Sequence, residues 1–300
     1  MKQMPLFSVI IPTFNRADLL RRAVDSVLAQ TFGNFEVIVI DNHSSDHTAE
    51  ILASYKDDRV SWHAIRNNGI IAASRNLGIR KAAGEWISFL DSDDWWHPAK
   101  LETVCNYLEQ ADVVYHGLNI HTPKGKSFLR SLNGRQVKSP VFVDLMIRGN
   151  ALSTSSVTVR KDIAEKIGCF SEEKSLIAVE DFDLWLRISR ITERFIFIPK
   201  KLGGYWLADG NATAATEKHA MRLKAVYDRH IAYLNNKKDC VQAEAVVSYG
   251  IGRIQQKLDN REAALAQFKK AVRSSVPEIR CKALFCITQL VFSMIGKQTQ

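Results

Sequence analysis

Residues Trp86-Ile87-Ser88-Phe89-Leu90-Asp91-Ser92-Asp93-Asp94 decide the reading of this chain. The first five form an apolar run, the pattern of a buried strand. Three carboxylates then fall within four positions, Asp91 to Asp94. At the end of such a strand they emerge at the carboxyl edge of a sheet, where open α/β folds bind ligands. Like charges so close repel one another unless a cation sits among them. Mg²⁺ or Mn²⁺ bridging to a phosphate suits these donors, because hard cations take oxygen ligands. The plainer alternative is an acidic turn that caps a helix starting near Pro98, since Asp is common at caps.

Working outward, the first 120 residues alternate between strand and helix patterns. Strands are expected at 7–11, 35–40, 60–65, 86–90 and 113–120. Helices are expected at 17–30, 46–55, 71–82 and 98–110. Leu19, Leu20, Ala23, Val24, Val27 and Leu28 form a helical stripe in the first. Asp46 reads as an N-cap and Gly84 as the end of its helix. Such alternation predicts an α/β fold with a mostly parallel sheet and helices on both faces. The stretch 121–214 is less regular. It holds one good helix, 179–191, and the pairs Gly203-Gly204 and Gly210-Asn211, which read as loop punctuation.

From about residue 215 the pattern turns wholly helical, with helices expected at 217–235, 241–258, 261–274 and 277–295. Tyr249, Gly252, Ala263, Ala264, Phe268 and Ala271 are spaced like a tetratricopeptide hairpin. One such unit cannot stack into a solenoid, which takes about three. The expected organisation is therefore an α/β domain over 1–214 and a helical appendage over 215–300.

Composition narrows the classes. The chain has 300 residues, 46% of them hydrophobic, enough for one large domain with an appendage. No apolar run approaches the roughly 20 residues of a bilayer span. The five cysteines have no metal spacing, and reduced cytoplasmic thiols are expected. The net charge of +9 fits phosphorylated substrates or anionic lipid. No nucleic-acid motif accompanies it, so no nucleic-acid partner is expected. The last helix is apolar from Ala283 to Ile295, near Lys269, Lys270, Arg273, Arg280 and Lys282. It suits docking on the α/β domain, contact with a second subunit, or rest on an anionic membrane surface.

Further motifs lie at other strand ends. They are Ser8-Val9-Ile10-Ile11-Pro12-Thr13-Phe14-Asn15-Arg16, Val39-Ile40-Asp41-Asn42-His43-Ser44-Ser45-Asp46, Ala73-Ser74-Arg75-Asn76-Leu77-Gly78 and Val179-Glu180-Asp181. Turn chemistry explains each singly. With Phe89 to Asp94, and in this order, they resemble the inverting family-2 glycosyltransferases of bacterial surface-polysaccharide type, over about residues 5–210. That resemblance implies the GT-A fold and a nucleotide-sugar site. Pro12, Thr13 and Asn15 would line the base. Asp41 would hold the uracil or its ribose. Arg75 would face the ribose and phosphates, Asp91 and Ser92 the ribose or sugar, and Asp93 would ligate Mn²⁺ or Mg²⁺. Asp181 would be the catalytic base, with Glu180 and Trp185 near the acceptor. Where many members carry an Arg and a His after the base helix, this chain has Trp206 and no His. Asp209, Asn211 or Thr213 would substitute, Asn211 first.

The resemblance further implies transfer of a hexose or N-acetylhexosamine from a UDP-sugar, UDP-glucose or UDP-galactose first, onto a polyprenyl-diphosphate-linked saccharide. The setting would be cytoplasmic, peripheral on the inner membrane, with a homo-oligomer as a further option. Two rival readings are a nucleotidyltransferase, disfavoured by the absence of a glycine-rich loop in Pro12 to Arg16, and an inactive scaffold whose tail binds partners.

Overall fold

The structure, a computed structural model, describes residues 4–132, 134–207 and 215–298. It opens with β1 (Phe7–Thr13), α1 (Ala17–Leu28), β2 (Phe35–Asp41), α2 (Thr48–Ser54), β3 (Val60–Ala64), α3 (Ile71–Lys81) and β4 (Trp86–Phe89). These four strands pair in parallel in the order β3-β2-β1-β4. Side chains alternate between the faces of a strand. Accordingly Val9, Ile11, Val37 and Val39 pack with Leu20, Ala23, Val24 and Val27 of α1, while Ile10 abuts Gly78 of α3. Helices therefore cover both faces, as the apolar strand sequences require.

Two local readings change. Asp46 is not the N-cap of α2, which is His47: the helix begins at Thr48, and the Asp46 carboxylate one residue further out accepts from Thr48 N at 3.1 Å and Thr48 Oγ1 at 2.6 Å. Gly84 does not cap α3, whose C-cap is Ala82. A Cβ at Gly84 would lie 2.8 Å from backbone atoms of Phe7 and Ser8, so glycine there permits a close approach to β1.

The chain continues through β5 (Trp95–Trp96), α4 (Lys100–Cys105), β6 (Val113–Thr122), β7 (Gly125–Leu132), α5 (Val141–Arg148), β8 (Thr158–Arg160), α6 (Lys161–Lys166), α7 (Glu180–Ile188) and β9 (Phe195–Trp206). Beyond β4 the sheet runs β8-β6-β9-β5, with β7 beside β6. Here β6 and β9 are parallel and the other pairings antiparallel, so the sheet is parallel in its first half and mixed in its second. Gly203-Gly204, expected in a loop, lie inside β9 and pair with Trp96 and Trp95. A Cβ on Gly203 would come within 2.6 Å of the Trp95 carbonyl oxygen. The missing side chains admit the indole.

Two compact units result, each described by itself. The first is Met1–Val137, Ala151–Glu173 and Ile191–Asp209; the second is Lys138–Asn150, Lys174–Arg190 and Gly210–Gln300. The sequence reading made one cut at 214, whereas α5 and α7 fall with the helical tail. Both helices bury faces against it: Phe182 of α7 meets Tyr227 at 5.7 Å between ring centroids, and Phe142 of α5 meets His230 at 6.3 Å.

The tail comprises α8 (Glu217–Ile231), α9 (Lys237–Lys257), α10 (Arg261–Ala271) and α11 (Pro277–Gln298). Thr216 and Asn236 cap α8 and α9 by accepting from the backbone N–H three residues on. The expected hairpin forms between α9 and α10, where Phe268 lies 5.9 Å from Tyr249 and against Gly252. Ala264, Phe268, Cys286 and Leu290 make a small core. The opposite side of α11 exposes Leu284, Phe285, Val291 and Phe292.

Candidate functional site

In the first unit the ends of β1, β2 and β4 share one edge of the sheet. Thr13 is in register with Asp41, and Leu90 N donates to Ile10 O just before the acidic turn. The turn closes through Asp94 N to Asp91 O at 3.0 Å. Asp91 N donates to Ser155 Oγ at 3.1 Å, and Ser155 O accepts from Trp96 Nε1 at 2.8 Å. Ser92 is buried within the turn.

Each carboxylate has a different environment. Asp91 Oδ1 accepts from Arg75 Nη2 at 2.7 Å; Arg75 is itself buried on α3 with its guanidinium 5.3 Å from the Phe170 ring centroid. Arg75 thus holds Asp91 in place as well as lying in the expected region. Asp93 Oδ2 accepts from Arg16 Nη1 at 2.5 Å, and Asp93 O from Arg22 Nη2 at 2.5 Å. Asp94 Oδ1 accepts from Trp206 N at 2.8 Å, while the buried Oδ2 has no hydrogen-bond partner among the described residues. The Arg22 guanidinium lies 4.0 Å from the Trp95 centroid and 4.9 Å from that of Trp206. Where an Arg is missing from the sequence at Trp206, α1 therefore brings one from elsewhere to the Trp206 ring.

Electrostatics follow from burial. Desolvation, then the charge of Asp91, pushes Asp93 above the usual carboxylate range despite Arg16. Asp94 lies well above it, through desolvation and then Asp93 and Asp91. Burial is thus the main reason that Asp93 and Asp94 hold their protons more tightly than an exposed carboxylate would. Among the described residues no group of three or more His, Cys, Asp or Glu side chains is arranged to hold a metal. Mg²⁺, however, is commonly held by one or two carboxylates with substrate phosphates as the remaining ligands. The oxygen donors of Asp93, its raised proton affinity and the unpartnered Asp94 oxygen fit a divalent ion of that kind.

The loops after β1 and β2 are tied to one another. Asp41 Oδ1 accepts from Ser44 Oγ at 2.5 Å, Ser44 Oγ accepts from Asn15 N at 2.9 Å, and Asn15 Oδ1 accepts from Ser45 N at 2.7 Å. Asp46 also accepts from Ala17 N, fixing the start of α1. Asp41 and Asn15, expected against the base and ribose, hold this double loop as well. Pro12 is buried within β1; Thr13 is buried with its hydroxyl lacking a hydrogen-bond partner among the described residues, and Phe14 beside them is exposed. Sequence reasoning quoted Arg16 but gave it no role, and it missed Arg22 and Trp95. The Trp95-Trp96 pair directly after the acidic turn was the available signal.

In the second unit, Glu180, Asp181 and Asp183 occupy the first turn of α7. Asp183 is fully buried and ion-paired. Asp181 is half-buried, with Oδ1 accepting from Phe182 N at 2.7 Å. Glu180 is buried, and Trp185, expected near the acceptor, is fully buried. Trp185 thus lies on the apolar face that α7 turns inward. Asn211 lies outside the described residues, as do Asp209 and Thr213.

Residues 8–163 match the family described as Glycosyl transferase family 2. An uncharacterized glycosyltransferase of Rickettsia typhi is 34% identical over 199 residues, 63% of this chain and 60% of that protein. The chain thus spans less than two thirds of the length of that curated relative. An Escherichia coli protein named UDP-Glc:alpha-D-GlcNAc-diphosphoundecaprenol beta-1,3-glucosyltransferase WfaP is 30% identical over 187 residues, 62% of this chain and 70% of that one. The mannosyltransferase PcManGT of Pyrobaculum calidifontis, solved with GDP-Man and Mn²⁺, superposes with a TM-score of 0.63 at 18% identity, covering 96% of this chain and 81% of that one. At that identity the likeness speaks for the GT-A fold alone. On the match across the strands and loops that carry the acidic turn, the chain belongs to glycosyltransferase family 2.

Proposed function

We propose that this glycosyltransferase moves a hexose or N-acetylhexosamine from a UDP-sugar, UDP-glucose or UDP-galactose first, to a hydroxyl of a polyprenyl-diphosphate-linked saccharide, inverting the anomeric carbon. The observation that carries this reading is the acidic turn Asp91 to Asp94, set at the carboxyl edge of the sheet just after β4. Asp93 would hold Mn²⁺ or Mg²⁺, which when bound offsets the charge growing on the departing diphosphate. Arg22, which donates to the Asp93 carbonyl oxygen, would add a cation beside that ion. The base and ribose would rest on Pro12, Thr13, Asn15 and Asp41, with Asp91 and Ser92 toward the ribose or sugar.

Asp181 would take the acceptor's proton as the acceptor oxygen attacks the anomeric carbon. The bond from that carbon to the diphosphate oxygen breaks as the new one forms, and UDP leaves. The name of the Escherichia coli relative supports a UDP-sugar donor and a diphosphoundecaprenol-linked acceptor.

A peripheral position on the membrane is the finer part of this reading. No helix among the described residues is long and apolar enough to cross a bilayer. Residues 215–300 hold fifteen Lys and Arg against seven Asp and Glu, so nearly all of the chain's net charge lies there. The exposed side of α11 carries Phe285 and Phe292. Cosedimentation with phosphatidylglycerol vesicles, absent with phosphatidylcholine alone, is the expected behaviour; self-association without lipid binding would favour a second copy of the chain instead.

The experiment is a donor panel of UDP-, GDP- and dTDP-sugars with Mn²⁺, scored for donor hydrolysis. Wild type is run beside Asp93→Ala and Asp181→Ala. Turnover of one UDP-sugar, lost in both variants, is expected. Silence across the panel with no UDP binding would move the reading to a non-catalytic scaffold.

A further inference from the structure

The first turn of α7 poses an electrostatic problem. Glu180, Asp181 and Asp183 stand within four positions, and no side chain caps the helix start. Asp183 is fully buried, where an unpaired carboxylate is costly. Two arginines and a histidine answer it. Arg187 Nε donates to Asp183 Oδ2 from one turn along the same helix at 2.8 Å. His230 Nε2 donates to Asp183 Oδ1 at 2.9 Å, and Arg229 Nε lies 3.8 Å from that oxygen. Burial alone would raise the Asp183 carboxyl, but the His230 hydrogen bond and Arg187 outweigh it and hold it below its ordinary range.

Two of these groups, Arg229 and His230, come from the last turn of α8. That helix end also favours positive charge through its dipole. His230 is buried between Phe142, at 6.3 Å, and Tyr233, at 6.2 Å. One turn back, Tyr227 packs on Phe182. Successive residues of α7, Phe182 and Asp183, are thus engaged by Tyr227 and His230 of α8, at i and i+3 on one helix face. This joint fixes the rotation and axial position of the turn that presents Asp181.

We propose that His230 is a positioning residue for glycosyl transfer: through Asp183 it holds the first turn of α7, and with it the Asp181 carboxylate. Helix α8 is then part of the catalytic apparatus. This rests on the reading of Asp181 as the base. A carboxylate displaced by even an ångström loses much of its effect on turnover without any loss of donor binding.

The test compares His230→Gln with His230→Asn in the full chain. Glutamine can still donate to Asp183; asparagine, one methylene shorter, cannot reach it. Readouts are the hydrolysis rates of UDP-glucose, UDP-galactose and UDP-GlcNAc with Mn²⁺, and the UDP–Mn²⁺ dissociation constant. Expected is at least a tenfold fall in kcat for His230→Asn, recovery to within about threefold of wild type for His230→Gln, and an unchanged UDP–Mn²⁺ affinity in both. Equal kcat in the two variants overturns the proposal, as does a fall in kcat matched by a fall in nucleotide affinity. Should His230→Asn fail to fold, His230→Gln decides alone: a folded glutamine variant with a tenfold lower kcat sinks the positioning role. Asp181→Ala separates the layers. If it stays active, the base assignment is wrong; if it is dead while His230→Asn is normal, only the positioning role fails.

Discussion

Arg16 stands where a divalent cation would stand, and removing it should help that cation bind. Its guanidinium lies 2.5 Å from Asp93 Oδ2. A +1 guanidinium and a +2 ion about 4 Å apart would repel by roughly 8 kcal/mol at an effective dielectric of 20, so the two do not share the carboxylate. Arg16 must swing aside for the metal. Its side chain is 37% exposed, so water receives it readily, and the cost is that of breaking a partly exposed ion pair, about 1 kcal/mol. In Arg16→Ala that cost is gone. Mn²⁺ should bind the nucleotide-free protein about fivefold more tightly, since about 1.4 kcal/mol corresponds to a factor of ten. Calorimetric titration of wild type, Arg16→Ala and Asp93→Asn measures this, with Asp93→Asn expected to lose the site. Unchanged or weaker Mn²⁺ binding in Arg16→Ala would refute the reasoning, since it would mean that Arg16 and the metal do not compete for Asp93.

Gly204→Ala drives a Cβ into the Trp95 indole, on which Arg22 stacks; a loss of about 1–3 kcal/mol in chemical denaturation is expected, with weaker UDP–Mn²⁺ binding. Asp93 and Asp94 have folded-state proton affinities raised above the unfolded ones. They therefore favour the metal-free fold at low pH and disfavour it as pH rises through their raised values. Mn²⁺ needs the ionised forms, so its gain in melting temperature should be larger at pH 7.5 than at pH 5; an equal gain counts against both carboxylates. His116 is buried and held neutral, with its pKa lowered to about 3, chiefly by desolvation and then by Lys100. The unfolded chain takes up that proton first, so stability is lost as pH falls from about 6.5, by roughly 3 kcal/mol at pH 4.5. His116→Gln should flatten that acid limb in urea melts, whatever its effect at neutral pH, and an unaltered slope would clear His116 of the role.

Much of this protein was determined by its sequence alone. The runs Phe7 to Ile11, Phe35 to Ile40 and Trp86 to Leu90 are too apolar for anything but a sheet covered on both faces, and the structure pairs them in parallel. The motifs at their ends named the family and marked Asp91, Asp93 and Asp181 because polar residues after buried strands and at a helix start are local features. The tail's hairpin was legible too, from small residues at helical spacing.

Other features needed the tertiary structure, because they join positions far apart in the chain. Gly203-Gly204 looks like a loop until Trp95 is laid across it. Arg16 and Arg22 look like surface cations until α1 brings them to Asp93. Trp185 and Asp181 are four residues apart on one helix, and only packing shows that the first faces inward. Asp183 and His230 are separated by 47 positions, and no periodicity in either helix announces that they meet. Sequence patterns report which side of an element is buried; which charge lies opposite which is decided only when the elements pack, since a buried charge is stable only beside the partner that the fold delivers.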